Sequence, residues 1–391
     1  MGGPVYGQTF RLVVSGYYGF RNSGDEAVLK SILFALELEA ERQGVRIEPV
    51  VLSIDPAWTA AMYGVESAHR MRPMDVLRAI RGSDGLISGG GSLLQDATSA
   101  KTIPYYTGIL RLAQLLGKPT FIYSQGIGPV NRRWMNPLIR GVMKRSRYVS
   151  VRDAESAALL ARMGVDRGRI EVVPDPVMGL PLPEGAEASA VAGGAPAAEP
   201  GGDRVPVVGV SLRGWRKDAS DLARAASALA ALARRRPVRL RFLPFHMPED
   251  AAVSHAVMAR LGAIGASTAE VAAPGDDPQQ MLLEVSRCDL VFAMRLHALI
   301  YAANRQVPML GLSYDPKIDR FLGRLGLTAI GTTESLDDEA FADAAESLLD
   351  EAGAEAWRSR HRDAILKLKD EAERPAKQIV QYLRQKIVRS R

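Results

Sequence analysis

Cysteine is nearly absent from this chain of 391 residues: Cys288 stands alone. One thiol excludes an internal disulfide framework and suits a reducing compartment. Histidine is scarce too, at five residues, and no Cys/His grouping has zinc spacing, so no metal is expected. No apolar run is long enough to span a bilayer. The opening MGGPVYGQTFRLVVSG is too short and polar for a secretion signal, so the expected location is cytoplasmic. Aromatics are only 6% of the chain and are not interleaved with basic residues, which argues against nucleic acid as a partner. No short-period repeat is present.

What remains is the composition of a soluble globular protein, 47% apolar and 24% charged, with length enough for two domains. The net charge of +6 leans toward anionic partners, although arginines spread along solvated helices give the same figure.

Strand-like and helix-like runs alternate from end to end, the pattern of α/β layers around a mostly parallel sheet. In the first half RLVVSG, IEPVVLSI, DGLISGG, TFIYSQG, YVSVRD and IEVVPD read as strands. In the second half VPVVGVSLRG, RLRFLPFH, AEVAAP, LVFAMRLH and PMLGLSY do. Two Rossmann-like domains follow, over residues 1–183 and 205–353. The segment 184–204, rich in Ala, Gly, Pro and Glu, has too little apolar bulk to bury and reads as a flexible linker. Residues 354–391 read as a helical segment packing back on the body, broken or kinked at Pro375, with Ile379, Val380, Leu383 and Ile387 as its apolar stripe. Arg384, Lys386, Arg389 and Arg391 lie near that stripe and leave a membrane-surface role open.

Chemistry-bearing residues collect where strands end. GYYGFRNSGDEAVL follows the first strand and reads as a glycine-rich loop opening a helix, with Ser23 and Glu26 at capping-box spacing. It is neither a dinucleotide fingerprint nor a Walker loop. Its Gly16, Asn22 and Asp25 are candidates for binding an anion or sugar hydroxyl. In SGGGSLLQD, Gly89, Gly90 and Gly91 would admit a ligand close to the backbone, and Gln95 and Asp96 could bond hydroxyls. Gln125 and Gly126 of YSQGIGP are the parallel case one strand on. Arg152 of SVRD and Arg213 of SLRG each end a strand with the side chain best suited to carboxylate or phosphate. FAMRLHALIYAANRQVPMLGLSYDPKIDRF brings Arg295, His297 and Lys317 to the edge where open α/β sheets bind ligands. Alternation places Arg295 and His297 on one face if the strand persists that far.

Taken together, these blocks resemble the polysaccharide pyruvyl transferases of the CsaB type. The likeness rests on GYYGFRNSGDEAVL, SGGGSLLQD, YYTGILRLAQLLGKP, YSQGIGP, SVRD, PDPV and the long FAMRLHA block, in order over most of the chain. It implies a GT-B-like architecture with the site in the interdomain cleft, the N-terminal domain facing the acceptor and the C-terminal one phosphoenolpyruvate. It further implies transfer of the enolpyruvyl carbons of phosphoenolpyruvate onto a sugar as a cyclic ketal. For this type the acceptor is N-acetylmannosamine of a lipid-linked cell-wall polymer precursor, and the ketal is the mark that S-layer homology domains recognise. The family's Arg/His/Lys trio falls on Arg152, His297 and Lys317, with Arg295 as a further substrate cation. No cofactor is expected beyond the donor substrate. A lipid-linked acceptor would make peripheral contact with the inner membrane face useful. Two rivals share the architecture: a nucleotide-sugar glycosyltransferase and a non-catalytic carbohydrate-binding protein.

Overall fold

The computed structural model describes residues 7–97, 99–186 and 204–388. Most of the expected linker, 187–203, lies outside the described residues, as do Arg389, Arg391 and the side chain of Ile387. The chain divides into two compact units, residues 1–180 with 368–391, and residues 181–367.

In the first unit β1 (Thr9–Tyr18), β2 (Arg46–Ser53), β3 (Glu66–His69), β4 (Gly85–Gly89), β5 (Thr120–Gln125), β6 (Tyr148–Val151) and β7 (Ile170–Val172) form a parallel sheet in the order β3-β2-β1-β4-β5-β6-β7. In the second, β8 (Val207–Ser211), β9 (Arg239–Phe242), β10 (Thr268–Val271), β11 (Leu290–Ala293), β12 (Met309–Ser313) and β13 (Gly331–Thr332) run β10-β9-β8-β11-β12-β13. Both are doubly wound Rossmann orders, and each reverses direction beside its first strand. Central strands are covered on both faces, so Leu12, Val13 and Val14, or Leu290, Val291 and Phe292, are buried without alternation. Gly209 of β8 makes room for Cys288: a Cβ there would sit 2.8 Å from the buried Sγ. Burial pushes that thiol up to about 12.

Three expectations are corrected. β11 ends at Ala293, so Arg295 and His297 do not alternate on a strand. Arg295 is instead the N-cap of helix Leu296–Asn304, its carbonyl accepting from Ala298 N at 3.1 Å, and His297 stands in the first turn. The Ser23–Glu26 capping box does not form either. β1 continues through Tyr18, and Asn22 caps helix Ser23–Arg42, its Oδ1 accepting from the N–H groups of Gly24 and Asp25. Glu26 reaches further back, accepting from Gly19 N at 2.8 Å and from Tyr63 Oη at 2.7 Å, while burial raises its pKa. Third, the helix is not broken at Pro375: one helix runs from Glu351 to Val388 with the proline inside it. Ala372, Ala376, Ile379, Val380 and Leu383 along it are buried, and Tyr382 meets Phe121 edge-on. That packing outweighs the roughly 3 kcal/mol an interior proline costs a helix.

Pro375→Ala is therefore expected to stabilise the protein by about 1–3 kcal/mol. A denaturation midpoint that stays put or falls would show that the proline is accommodated without cost.

Candidate functional site

In the first unit the topology reverses between β1 and β4, and the residues after those strands meet there. Tyr18 folds back over Gly16, where any Cβ would collide with its ring, and donates from Oη to Gly89 O at 3.0 Å. The three glycines are explained first by packing. A Cβ on Gly89 would lie 2.8 Å from Ile32 Cδ1, and one on Gly90 would collide with Val28. Gly91, at φ +70°, is the one beside a charged group, 3.3 Å from Asp25 Oδ1 by the same measure. Asp25 is half-buried there, and its charge acts on Tyr17, Tyr18 and Tyr106. Burial pushes the Tyr106 hydroxyl up to about 12.

Arg152 is held beside this turn. Its Nη2 donates to Ser92 Oγ at 2.6 Å, Nη1 lies 3.7 Å from Asp175, and the guanidinium lies over Gly126, where a Cβ would come within 2.8 Å of Nε. Gly126 N donates to Gly91 O at 2.8 Å, tying the two loops together. Gln125 is fully buried; its Oε1 accepts from Ser88, while Nε2 has no partner among the described residues. Gln95 caps its own loop through Ala97 N. Asp96 is engaged by the loop after β5. Its oxygens accept from Asn131 N and Arg132 N at 2.8 and 2.7 Å, and those bonds, Asn131 first, hold it below the ordinary carboxylate range.

One group the sequence did not suggest is Arg70. It is buried, donates to Gly16 O at 2.7 Å and to Tyr106 Oη at 3.0 Å, and is ringed by Tyr17, Phe20, Tyr105 and Tyr106. Tyr17 and Phe20 stack at 3.9 Å and stay about 40% exposed. The aromatic pairs at 17–20 and 105–106 were the available signal; what they enclose needs the fold.

In the second unit Ser211 of β8 pairs with Ala293 of β11, which pairs with Gly311 of β12. Residues just past these points reach one edge. Arg213 Nη1 lies 3.3 Å from Tyr314 Oη, and its guanidinium sits over the Trp215 and Tyr314 rings. Lys317 Nζ lies 5.3 Å from the Tyr314 ring and 3.7 Å from Asp315 Oδ2. Asp315 caps helix Pro316–Arg324 through Lys317 N. His297 is half-buried at the neighbouring helix start. Arg295 departs from expectation: its Nε and Nη2 grip Asp250, which also accepts from Phe245 N and His246 N. Its charge is matched there by a carboxylate that is 1% exposed, so Arg295 braces the turn out of β11.

Among the described residues no three His, Cys, Asp or Glu side chains gather as a metal-binding set. No helix among them is long and apolar enough to cross a membrane.

Two parallel α/β units of this topology define the GT-B class, and solved structures of that class share the fold. A glycosyltransferase from Rickettsia africae has a TM-score of 0.62 at 11% identity, over 96% of this chain and 98% of its own. The UDP-GlcNAc 2-epimerase of Neisseria meningitidis, solved with UDP-GlcNAc, has 0.60 at 11%, over 97% and 100%. MurG of Acinetobacter baumannii has 0.52 at 12%, over 97% and 99%. The sequence has no match among curated proteins. Within the class, the chain belongs to the polysaccharide pyruvyl transferase family, whose model matches residues 22–316.

Breaking a buried pair leaves an uncompensated charge, so Asp250→Ala and Arg295→Ala are each expected to destabilise by about 3–5 kcal/mol. The double variant should recover part of the loss in denaturation experiments; strictly additive losses would deny the coupling.

Proposed function

We propose that this chain transfers the enolpyruvyl carbons of phosphoenolpyruvate onto a sugar, closing a cyclic pyruvyl ketal. The observation that supports it best is the meeting of Arg213, Tyr314 and Lys317 at the sheet edge past which His297 opens the helix after β11. Phosphoenolpyruvate carries a phosphate and a carboxylate on three carbons, and two cations with a phenolic hydroxyl match that charge. Arg213 retains an Nε with no partner among the described residues, and Asp315 is the only ion-pair partner of Lys317 among them.

In this scheme His297 gives a proton to the methylene carbon, leaving C2 electron-deficient. A sugar hydroxyl adds to C2 and loses its proton. A second hydroxyl of the same sugar then displaces phosphate, which departs with that hydroxyl's proton. The products are ketal and inorganic phosphate, and the scheme calls for no resident cofactor. The family resemblance assigns Arg152 as the third catalytic residue. The carboxylate of Asp25 is the candidate base for an attacking hydroxyl, since Asp96 is engaged in its loop. The acceptor we favour is N-acetylmannosamine of a lipid-linked cell-wall precursor, used on the cytoplasmic side in the manner of the CsaB type. The competing reading is a nucleotide-sugar enzyme, because the N. meningitidis epimerase was solved with UDP-GlcNAc.

Mass spectrometry of N-acetylmannosamine-containing acceptors incubated with phosphoenolpyruvate should reveal the pyruvyl mass gained with loss of water; reaction with UDP-sugars alone would favour the rival. His297→Ala should lower phosphate release by about 10²–10⁴-fold with the fold intact. Lys317→Ala should raise the KM for phosphoenolpyruvate roughly tenfold or more. Near-full turnover in the first variant, or unchanged KM in the second, removes that residue from the scheme.

A further inference from the structure

From Ala97 to Arg152 the chain has no acidic residue, yet it has ten lysines and arginines. Two helices of the first unit lie in this stretch, Thr102–Leu115 and Asn136–Arg145. They connect β4 to β5 and β5 to β6, steps in the same direction across the sheet, so right-handed crossovers place both on one face. They pack side by side, with Gln114 Nε2 donating to Val142 O at 2.9 Å.

Their outward surfaces are unusual in composition. The second helix buries Ile139, Val142 and Met143 and turns Leu138, Arg140, Lys144 and Arg145 to solvent. Trp134, in the turn leading into it, is 61% exposed, Leu138 40%, and Leu115 on the first helix 68%. Trp134 and Leu138 are four residues apart, and both lie within a few residues of Arg133 and Arg140. Arg111, Arg133, Arg140 and Lys144 are exposed, and none has an ion-pair partner among the described residues. Elsewhere exposed arginines are commonly paired, as Arg235 is with Glu339, Asp343 and Glu346.

We infer that this helical face docks on an anionic lipid surface, with Trp134 and Leu138 entering the headgroup region and the cations facing lipid phosphates. Indole is favoured at a bilayer interface, and basic residues around an apolar face are the mark of a peripheral membrane helix. A second copy of the chain would bring the same positive face and repel it. Nucleic acid would call for several stacking aromatics, and Trp134 is the sole exposed one here. The C-terminal helix is a poorer anchor, because Ile379, Val380 and Leu383 are already buried. The inference stands on this face and does not depend on the donor proposed above.

The test is flotation of the full-length protein with vesicles of phosphatidylglycerol and phosphatidylcholine in equal parts, against phosphatidylcholine alone. Binding is expected only to the mixed vesicles and should fall as salt rises. Reversing Arg133, Arg140 and Lys144 to Glu should weaken it on the order of a hundredfold or more. Trp134→Ala with Leu138→Ala should weaken it about tenfold or more. Turnover of a soluble acceptor by these variants should match the wild type, which separates failure at the membrane from failure of the proposed reaction. Absence of binding to mixed vesicles, equal binding to neutral ones, or binding undiminished by either set of changes would overturn the inference. So would binding to an RNA or DNA duplex, lost on the same changes, with none to vesicles.

Discussion

Parallel pairing in register is the constraint on which the second unit's chemistry depends. Ser211, Ala293 and Gly311 stand side by side on three strands running the same way, so whatever follows each is delivered to a common edge. Arg213, His297 and Lys317 lie within six residues of those points, on loops and helix starts that cannot drift far from them. The bidentate grip of Arg295 on Asp250 adds a second restraint: it pins the turn out of β11 to the start of helix Glu249–Met258, and so restrains where His297 enters its helix.

How much of this was legible before the fold depended on where the information sits. Buried strands declare themselves through runs such as LVV, GLIS and LVFA, whose residues are apolar because both faces are covered. β3 and β13 do not: ESAH and GT are short, polar edge segments whose strand character comes from their neighbours Val50–Ser53 and Leu312–Ser313. His297 and Lys317 stand in a distinctive block of sequence, and the fold sets each in a first helical turn just past a strand. The grip of Arg295 on Asp250 was not legible, because the two are 45 residues apart and no periodicity predicts such a pair. The Gly89–Gly91 run shows the same limit: Ile32 and Val28 of the helix after β1 require two of its glycines, and that helix is about 50–60 residues earlier in the chain. For Arg70 the aromatic pairs at 17–20 and 105–106 were the only signal, since a cation enclosed by four rings is a property of the assembled unit.

The fold itself is shared with a UDP-GlcNAc 2-epimerase, a glycosyltransferase and MurG, and at 11–12% identity the likeness speaks of architecture alone. A sheet edge with two cations accepts a diphosphate as readily as a phosphate beside a carboxylate. What distinguishes the chemistries is a handful of side chains past the strand ends, and family membership narrows that choice where topology does not.

The lone thiol has a practical consequence. Cys288 lies beneath Gly209 with its ionisation suppressed, so maleimides and mild oxidants will find almost no thiolate there at neutral pH. The natural chain is thus silent toward sulfur-directed probes. A spin label or fluorophore attached to one added surface cysteine would report on that position alone, without any background substitution.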